Sequence, residues 1–186
     1  MRIVAGRFRG ARIEAPKGLL TRPTSDRVRQ ALFNVLTHGS PRFEFEDARV
    51  LDLFAGSGAL GLEALSRGAR YAVFIEDDAA ARGAIRRNVE ALGLTGVTKI
   101  WRRDATELGP AGSLLPFQLI FCDPPYGQGL GEQALASAVN GGWADEGAVA
   151  VLEEQADAKI VWPPPFQEID RRRYGDTQIA LARAGA

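Results

Sequence analysis

The chain has 186 residues, of which 46% are hydrophobic and 25% charged, and these values predict one globular domain rather than a disordered, collagenous or coiled-coil protein. A single cysteine, Cys122, and a single histidine, His38, exclude an internal disulfide and leave little material for a metal site. No run of 18 apolar residues occurs, and arginines interrupt the N-terminus where a signal peptide would need an apolar stretch. We therefore expect a metal-free, monomeric protein of the reducing cytoplasm with no membrane partner.

The formal net charge of zero conceals an uneven distribution of charge. Residues 1–36 hold eight basic and two acidic side chains, whereas residues 37–186 hold 15 basic and 21 acidic ones. The first part thus carries +6 and the second −6. This segregation predicts either a surface for a polyanion or a solvated basic face, and charge alone does not decide between them.

The first 40 residues predict a short β-hairpin followed by a helix. Residues 2–5 and 11–14 have strand composition and flank an arginine-rich turn from Gly6 to Gly10. Apolar residues at helical spacing between positions 28 and 36 predict an amphipathic helix, with Ser25 or Thr24 as its N-cap.

From residue 49 onward, apolar strand-like runs alternate with helical stretches. The expected strands are 50–54, 71–75, 97–101, 117–122 and 148–152. Two final strands, 166–172 and 177–181, are separated by only four residues, which is too short for a crossover helix and indicates an antiparallel hairpin. The sequence therefore predicts an α/β fold: a Rossmann-like, seven-stranded, mostly parallel sheet with helices on both faces and an antiparallel last strand.

A glycine-rich turn joins the first large strand to a helix. Gly56 and Gly58 permit a ligand to approach backbone N–H groups, and the start of the helix adds a positive dipole end. With Gly61 they also match the dinucleotide-binding fingerprint Gly-x-Gly-x-x-Gly. The alternative is that these glycines serve only the packing of the helix against the strand.

Acidic residues end three successive predicted strands. Asp52 lies at the end of the first, where a buried carboxylate needs donors such as a ligand ammonium group. Glu76 follows the second strand and is placed to accept from ribose hydroxyls, while Asp77 or Asp78 after it caps the next helix. Asp104 follows the third strand, where it either accepts from an adenine amino group or caps a short helix. Three acids at one sheet edge predict a nucleoside pocket.

The tetrad from Asp123 to Tyr126, with sequence Asp-Pro-Pro-Tyr, ends the fourth strand. Its prolines fix the backbone and lack N–H donors, so the loop presents carbonyl groups and one carboxylate. Such a slot suits a planar exocyclic amine, with Tyr126 stacked on the base. A proline-terminated strand with a packing tyrosine is the alternative interpretation.

Together these motifs resemble the class I S-adenosylmethionine-dependent methyltransferases, and the tetrad resembles the branch that modifies exocyclic amino nitrogens. The N-terminal segment, with Gly6-x-x-Arg9-Gly10 and then Thr21 to Asn34, resembles the bacterial 16S ribosomal RNA guanine-N2 methyltransferase family. The resemblance implies S-adenosylmethionine as cofactor, S-adenosylhomocysteine as product and no metal. It implies methylation of N2 of a guanine in 16S rRNA, of the guanine-966 type. The expected substrate is this RNA within a small ribosomal subunit or an assembly intermediate.

The resemblance also assigns roles to residues of this chain. Residues 1–40 become an RNA-binding extension, and residues 41–186 a cofactor-binding catalytic core, within one domain. The catalytic residues are those of the tetrad: Asp123, Pro124, Pro125 and Tyr126. The cofactor-binding residues are Asp52, Phe54, Ala55, Gly56, Ser57, Gly58, Glu76, Asp77, Asp104 and Ala105. The expected RNA contacts are Arg7, Arg9, Arg12, Lys17, Arg22, Arg27 and Arg29.

Other functions fit parts of the pattern. The same slot accepts adenine N6 in nucleic acid or a glutamine amide in a protein. The glycine fingerprint alone also fits an NAD-binding oxidoreductase or nucleotide sensor, which leaves Asp52 and the tetrad unexplained. A noncatalytic RNA-binding module is a fourth hypothesis.

Overall fold

A single seven-stranded sheet organises the computed structural model, which describes residues 1–18 and 25–185. Its strands are β1 (Arg49–Leu53), β2 (Tyr71–Ile75), β3 (Thr98–Trp101), β4 (Phe117–Cys122), β5 (Ala144–Gln155), β6 (Phe166–Tyr174) and β7 (Thr177–Ala184). They lie in the order β3-β2-β1-β4-β5-β7-β6. Strands β1 to β5 pair in parallel, whereas β7 is antiparallel to both β5 and β6. The predicted sheet, including its antiparallel last strand, is confirmed.

Helices cover both faces of this sheet, as predicted. They are α1 (Asp26–His38), α2 (Ala59–Ser66), α3 (Ala79–Ala91) and α4 (Leu130–Asn140). Because side chains alternate along a strand, each strand feeds two separate apolar clusters. The first three helices pack into one cluster, and α4 packs with Trp143 into the other. None of the helices in the described part of the chain is long and apolar enough to cross a membrane.

Helix α1 begins where the sequence predicted. The Ser25 hydroxyl accepts a hydrogen bond from the Val28 N–H at 3.1 Å and so satisfies one of the free donors of the first turn. Thr24, the other candidate cap, lies outside the described residues.

Several strand bounds differ from the prediction by up to four residues, and two of these differences have a local cause. Strand β1 ends at Leu53 because Phe54 adopts a left-handed backbone conformation with φ of 55°. Strand β5 continues to Gln155, three residues beyond the expected end, because β7 pairs with it as far as the Gln155–Thr177 partners.

The predicted N-terminal hairpin is reduced to one antiparallel bridge, between Arg2 and Arg12. The Ile3 N–H donates to the Ala11 carbonyl and the Ile13 N–H to the Met1 carbonyl, at 2.9 and 2.8 Å, on either side of this bridge. The N–H groups of Val4 and Ala5 bond to the carboxylate of Glu63 on α2, at 2.8 and 3.1 Å, rather than to a partner strand. The N-terminal segment is therefore attached to α2 instead of forming a free-standing hairpin.

Candidate active site

The predicted acids converge along one edge of the sheet. Strands β3, β2, β1 and β4 are parallel neighbours, so their carboxyl ends lie side by side. In this spatial order, the edge carries Asp104, Glu76, the loop after Asp52, and Asp123. Ligands of open α/β sheets bind at this edge, where strand order reverses between β1 and β4.

Asp52 is a buried carboxyl group with one strong backbone donor. Its side chain is 1% exposed, and Oδ2 accepts a hydrogen bond from the Gly61 N–H at 3.0 Å. Burial raises the pKa of Asp52 to about 8, with the nearby Glu76 charge adding to the effect and the Gly61 bond opposing it. A donor or cation reaching this group would favour its ionised form.

Gly61 is required by space rather than by backbone conformation. A Cβ atom at this position would lie 2.5 Å from Cε1 of Phe74 and 3.2 Å from Oδ2 of Asp52. The third glycine of the fingerprint therefore lets α2 approach β2 closely enough for its N–H to reach Asp52.

The loop between β1 and α2 holds an unusual backbone. Gly56 and Gly58 have φ of 59° and 80°, and Phe54 adopts φ of 55° without being glycine. A Cβ atom on Gly56 would meet no atom within 4 Å, so conformation rather than crowding favours glycine there. Non-glycine residues in this region cost energy and are concentrated at ligand sites.

Glu76 is held by the same loop. Its Oε1 accepts from the Gly56 N–H at 2.9 Å and its Oε2 from the Asp78 N–H at 3.1 Å. Burial raises the pKa of Glu76, and these two hydrogen bonds oppose the rise. A carboxylate has about four acceptor positions, so this group is oriented and retains capacity for further donors.

The two acids after Glu76 have different roles. Asp78 caps α3, because its Oδ2 accepts from the Ala81 N–H at 2.8 Å. Asp77 is exposed beside the loop. Of the two, Asp77 is therefore the one that lies open to a ligand.

Asp104 caps the short 3-10 turn Ala105–Glu107. Its Oδ1 accepts from both the N–H and the hydroxyl of Thr106, at 2.8 and 2.7 Å. The capping interpretation, which the sequence left open, is confirmed. Ala105 is buried at the start of the turn.

The tetrad forms a loop that leaves β4 towards the end of β5. Asp123 and Tyr126 are half-buried, Pro124 is buried and Pro125 is exposed. The Tyr126 hydroxyl lies 2.8 Å from Oε1 of Glu153 and 3.1 Å from Oγ1 of Thr177. Burial raises the pKa of Tyr126 above its ordinary value, so the phenol stays neutral.

The arginines predicted to contact RNA do not share one environment. Five of the predicted residues are exposed: Arg7, Arg9, Arg12, Lys17 and Arg27. Arg22 lies outside the described residues.

The prediction for Arg29 is wrong. This side chain is fully buried, forms an ion pair with Asp26 at 2.8 Å, lies 3.8 Å from Glu63 and donates to the Arg2 carbonyl. It joins α1 to α2 and the N-terminal segment, where no phosphate can reach it.

Sequence reasoning missed two groups of residues that support the site. Asn88 on α3 accepts from the Glu14 N–H and donates to the carbonyls of Glu14 and Ser57, at 2.8, 2.9 and 3.0 Å. A polar residue next to the apolar stripe of α3 was the available signal. Glu153 and Glu154 follow the apolar part of β5, the same strand-end pattern that identified the other acids.

The single cysteine and histidine lie apart from this chemistry. Cys122 is buried, with Sγ 3.7 Å from the Gly131 carbonyl, and burial raises its pKa. His38 is exposed in the last turn of α1. Within residues 1–18 and 25–185, no group of three or more His, Cys, Asp or Glu side chains could hold a metal ion.

The fold is that of the class I methyltransferases, and it carries a glycine loop after β1, an acid after β2 and an Asp-Pro-Pro-Tyr tetrad after β4. The solved structure of the Escherichia coli protein yhhF has the same fold, with a TM-score of 0.84 and 34% identity, covering 100% of this chain and 98% of that one. The Thermus thermophilus 16S rRNA N2 G1207 methyltransferase, solved with AdoMet and guanosine, shares the fold at a TM-score of 0.65 and 22% identity, over 90% of this chain and 44% of that one.

The family described as "Conserved hypothetical protein 95" matches residues 1–183. Ribosomal RNA small subunit methyltransferase D of Escherichia coli K12 is 34% identical over 173 residues, which cover 93% of this chain and 84% of the relative. The Haemophilus influenzae protein of the same name is 31% identical over 183 residues, covering 97% and 92%. The chain belongs to this family of small-subunit ribosomal RNA methyltransferases.

Proposed function

We propose that this protein methylates the exocyclic N2 of a guanine in 16S rRNA, with S-adenosylmethionine as donor and S-adenosylhomocysteine as product. The observation that carries the proposal is the adjacency of two half-sites on neighbouring strands. Asp52, the glycine loop and Glu76 lie on β1 and β2, and the tetrad lies on β4, which pairs directly with β1. The names of the relatives support ribosomal RNA of the small subunit as the substrate.

The first half-site fits the cofactor. Asp52 is a buried carboxyl group that would bind the ammonium of the methionine part together with the loop backbone from 54 to 58. Glu76 would accept from the ribose hydroxyls, with Asp77 beside it. The cap uses Oδ1 of Asp104, so the other carboxylate oxygen would accept from the adenine amino group, and the Ala105 N–H would donate to the ring. The bound cofactor would supply a methyl group that its sulfonium already activates.

The second half-site fits an exocyclic amine. The N2 lone pair of guanine is delocalised into the ring, so acceptors that hold its N–H bonds favour attack on the methyl carbon. The Asp123 carboxylate and the Pro124 carbonyl would accept these bonds. Asp123 would stabilise the positive charge that develops on N2 and then take the proton that leaves it. The Tyr126 ring would stack on the unstacked base, with Pro125 at its exposed border.

The basic N-terminal extension would hold the RNA backbone around this base. Its exposed side chains carry positive charge suited to phosphates, which position an RNA without reading its sequence: Arg7, Arg9, Arg12, Lys17 and Arg27. We assign this role to residues 1–40 and cofactor binding and catalysis to residues 41–186 of one domain. We further propose that the protein acts as a monomer in the cytoplasm, on 16S rRNA within a small subunit or its assembly intermediate.

Mapping of methylated nucleosides tests the proposed reaction. Ribosomal RNA from a strain lacking the gene is incubated with S-adenosylmethionine and the purified protein, and mass spectrometry locates the new methyl group. We expect N2-methylguanosine at one position with the unaltered protein, none with Asp123→Ala, and a normal yield with Glu146→Ala, an exposed acid at the opposite end of the sheet. N6-methyladenosine, or methylation of a protein glutamine, would favour the alternative substrates.

Calorimetry separates the methyltransferase from an oxidoreductase or a binding module. We expect S-adenosylhomocysteine to bind and NADH not to bind. Binding of NADH alone would refute the proposal. Retention of every cellular function by Asp123→Ala would favour a noncatalytic RNA-binding module.

Charge reversal tests the RNA-binding extension. We expect the replacement of Arg7, Arg9 and Arg12 by glutamate to weaken RNA binding and to lower the slope of log K against log salt by up to about 2, at about 0.7 for each lost single-strand phosphate contact. Binding of S-adenosylhomocysteine should stay the same. Reversal of the exposed Arg171 and Arg172, on the edge strand β6, is the matched control. An unchanged slope in the triple variant would remove the extension from the interface.

A further inference from the structure

The Tyr126 hydroxyl is fixed between two strands that do not belong to the tetrad. It lies 2.8 Å from Oε1 of Glu153, near the end of β5, and 3.1 Å from Oγ1 of Thr177, at the start of β7. Because these residues are 27 and 51 positions from Tyr126, three distant parts of the chain meet at one phenol oxygen.

Both partners are themselves rigidly placed. Glu153 is 9% exposed and pairs with Ile179 in the β5–β7 ladder, and Thr177 is 6% exposed and pairs with Gln155 in the same ladder. Their backbones are thus fixed by the antiparallel pairing at the end of the sheet.

The next residue of β5 holds the same loop from its other side. Side chains alternate between the faces of a strand, so Glu153 and Glu154 point in opposite directions. Glu154 is 3% exposed, and its Oε1 accepts from the Gly127 N–H at 3.0 Å and from the Gln155 N–H at 2.8 Å. Consecutive acids of β5 therefore bind consecutive residues of the loop, Tyr126 and Gly127.

We propose that Glu153 and Thr177 are positioning residues that orient the Tyr126 ring for stacking on the target base. This inference rests on the proposed function, since that function places the base against Tyr126. An aromatic ring free to rotate about its two side-chain torsions stacks only part of the time, whereas a hydroxyl bonded at both sides selects one orientation. The C-terminal hairpin then contributes to catalysis without contacting the substrate.

Kinetics of hydroxyl-deleting variants test the inference. Tyr126→Phe keeps the ring and removes both contacts, and Thr177→Val keeps the shape of the threonine. We expect Tyr126→Phe to lower kcat/KM for RNA about tenfold, the size of one hydrogen bond to a charged group. The affinity for S-adenosylhomocysteine should not change. Thr98→Val, which removes a hydroxyl bonded to the Leu94 carbonyl at the start of β3, is the matched control.

Combined variants distinguish positioning from general stability. If the residues act as one unit, Tyr126→Phe with Thr177→Val loses no more activity than Tyr126→Phe alone. Glu153→Gln keeps an oxygen acceptor and should lose less activity than Glu153→Ala. In an RNA with 2-aminopurine at the target position, stacking on the Tyr126 ring quenches the fluorescence of this base. The quenching should be weaker with Glu153→Ala than with the unaltered protein. Unchanged kinetics and quenching in properly folded variants, or losses that add in full, would overturn the inference.

A crystal structure of the Glu153→Ala, Thr177→Val protein gives a readout that needs no RNA. We expect the Tyr126 ring to occupy a new or a mixed orientation. A ring that keeps its single orientation overturns the inference whatever the substrate is. A displaced ring together with wild-type protein that methylates no guanine would refute the proposed function alone.

Discussion

Replacement of Asp52 by asparagine should make the cofactor-free protein more stable at neutral and alkaline pH. Asp52 is 1% exposed, and burial raises its pKa from 3.8 to about 8. Between these two values the folded protein keeps the carboxyl proton, whereas the unfolded chain has lost it. Because the folded state binds more protons, its stability falls as the pH rises through this window. Asparagine keeps an oxygen for the Gly61 N–H and has no proton to lose.

The difference between the folded and unfolded pKa of Asp52 sets the size of the change in unfolding free energy. One bound proton more in the folded state corresponds to about 1.4 kcal/mol of unfolding free energy per pH unit. From about pH 4 to about pH 8, the contribution of Asp52 therefore declines by a total of about 6 kcal/mol and then levels off. The stability of Asp52→Asn relative to the unaltered protein should rise by that amount over the same window.

Urea unfolding at half-unit steps from pH 5 to pH 9 measures this difference directly. Subtracting the unfolding free energies of the two proteins removes any pH-independent effect of the amide. The change of this difference with pH is therefore what tests the prediction. Asp77→Asn makes the same substitution at an exposed acid of the same edge and is the control. A pH-independent difference for Asp52→Asn would refute the assignment of a buried, protonated carboxyl group. Asp52→Asn should also bind S-adenosylhomocysteine more weakly than the unaltered protein. This difference in affinity should be largest above about pH 8.

Three further variants test other parts of the structure. Arg29→Met should lower the free energy of unfolding by about 1–3 kcal/mol, because it removes the bond to the Arg2 carbonyl and one of the two cations beside the buried Glu63, and should not change the salt dependence of RNA binding; a lower salt slope at unchanged stability would contradict this. Asn88→Leu removes the bonds to Glu14 and to the Ser57 carbonyl, so calorimetry should show S-adenosylhomocysteine binding about tenfold weaker; unchanged affinity would show that the cofactor loop does not depend on Asn88. Gly61→Ala should cost about 1–3 kcal/mol in thermal unfolding, since its Cβ would overlap Phe74, and an equally stable variant would refute the close packing.

The alternation of strands and helices, and the sheet edge at which the acids lie, could be predicted because both follow from the sequence pattern. Apolar runs alternate with helical stretches, and acids follow the runs, so the sequence predicts Asp52, Glu76 and Asp123 at the ends of strands. Parallel strands then bring their carboxyl ends together whatever the details of packing.

What could not be predicted depends on contacts between distant residues. Charge density marked the N-terminal arginines, but it does not tell which guanidinium turns inward, and Arg29 meets Glu63 only when α2 docks against α1. In the same way, the roles of Glu153 and Thr177 depend on where the tetrad loop meets the β5–β7 ladder. The early end of β1 depends on the backbone of Phe54, whose left-handed conformation no propensity favours.

The attachment of the N-terminal segment to α2 and α3 implies an order of folding. The segment leaves the ribosome before these helices, since the partners of Val4 and Glu14 lie 59 and 74 residues further along the chain. Closure of such long loops is favourable only after the helices that receive them exist. During synthesis, the basic segment must therefore wait unpaired while the first two strands and their helices assemble. Its arginines take up their final arrangement only on a chain whose glycine loop has already formed, so a truncated product would lack the surface that we propose for RNA.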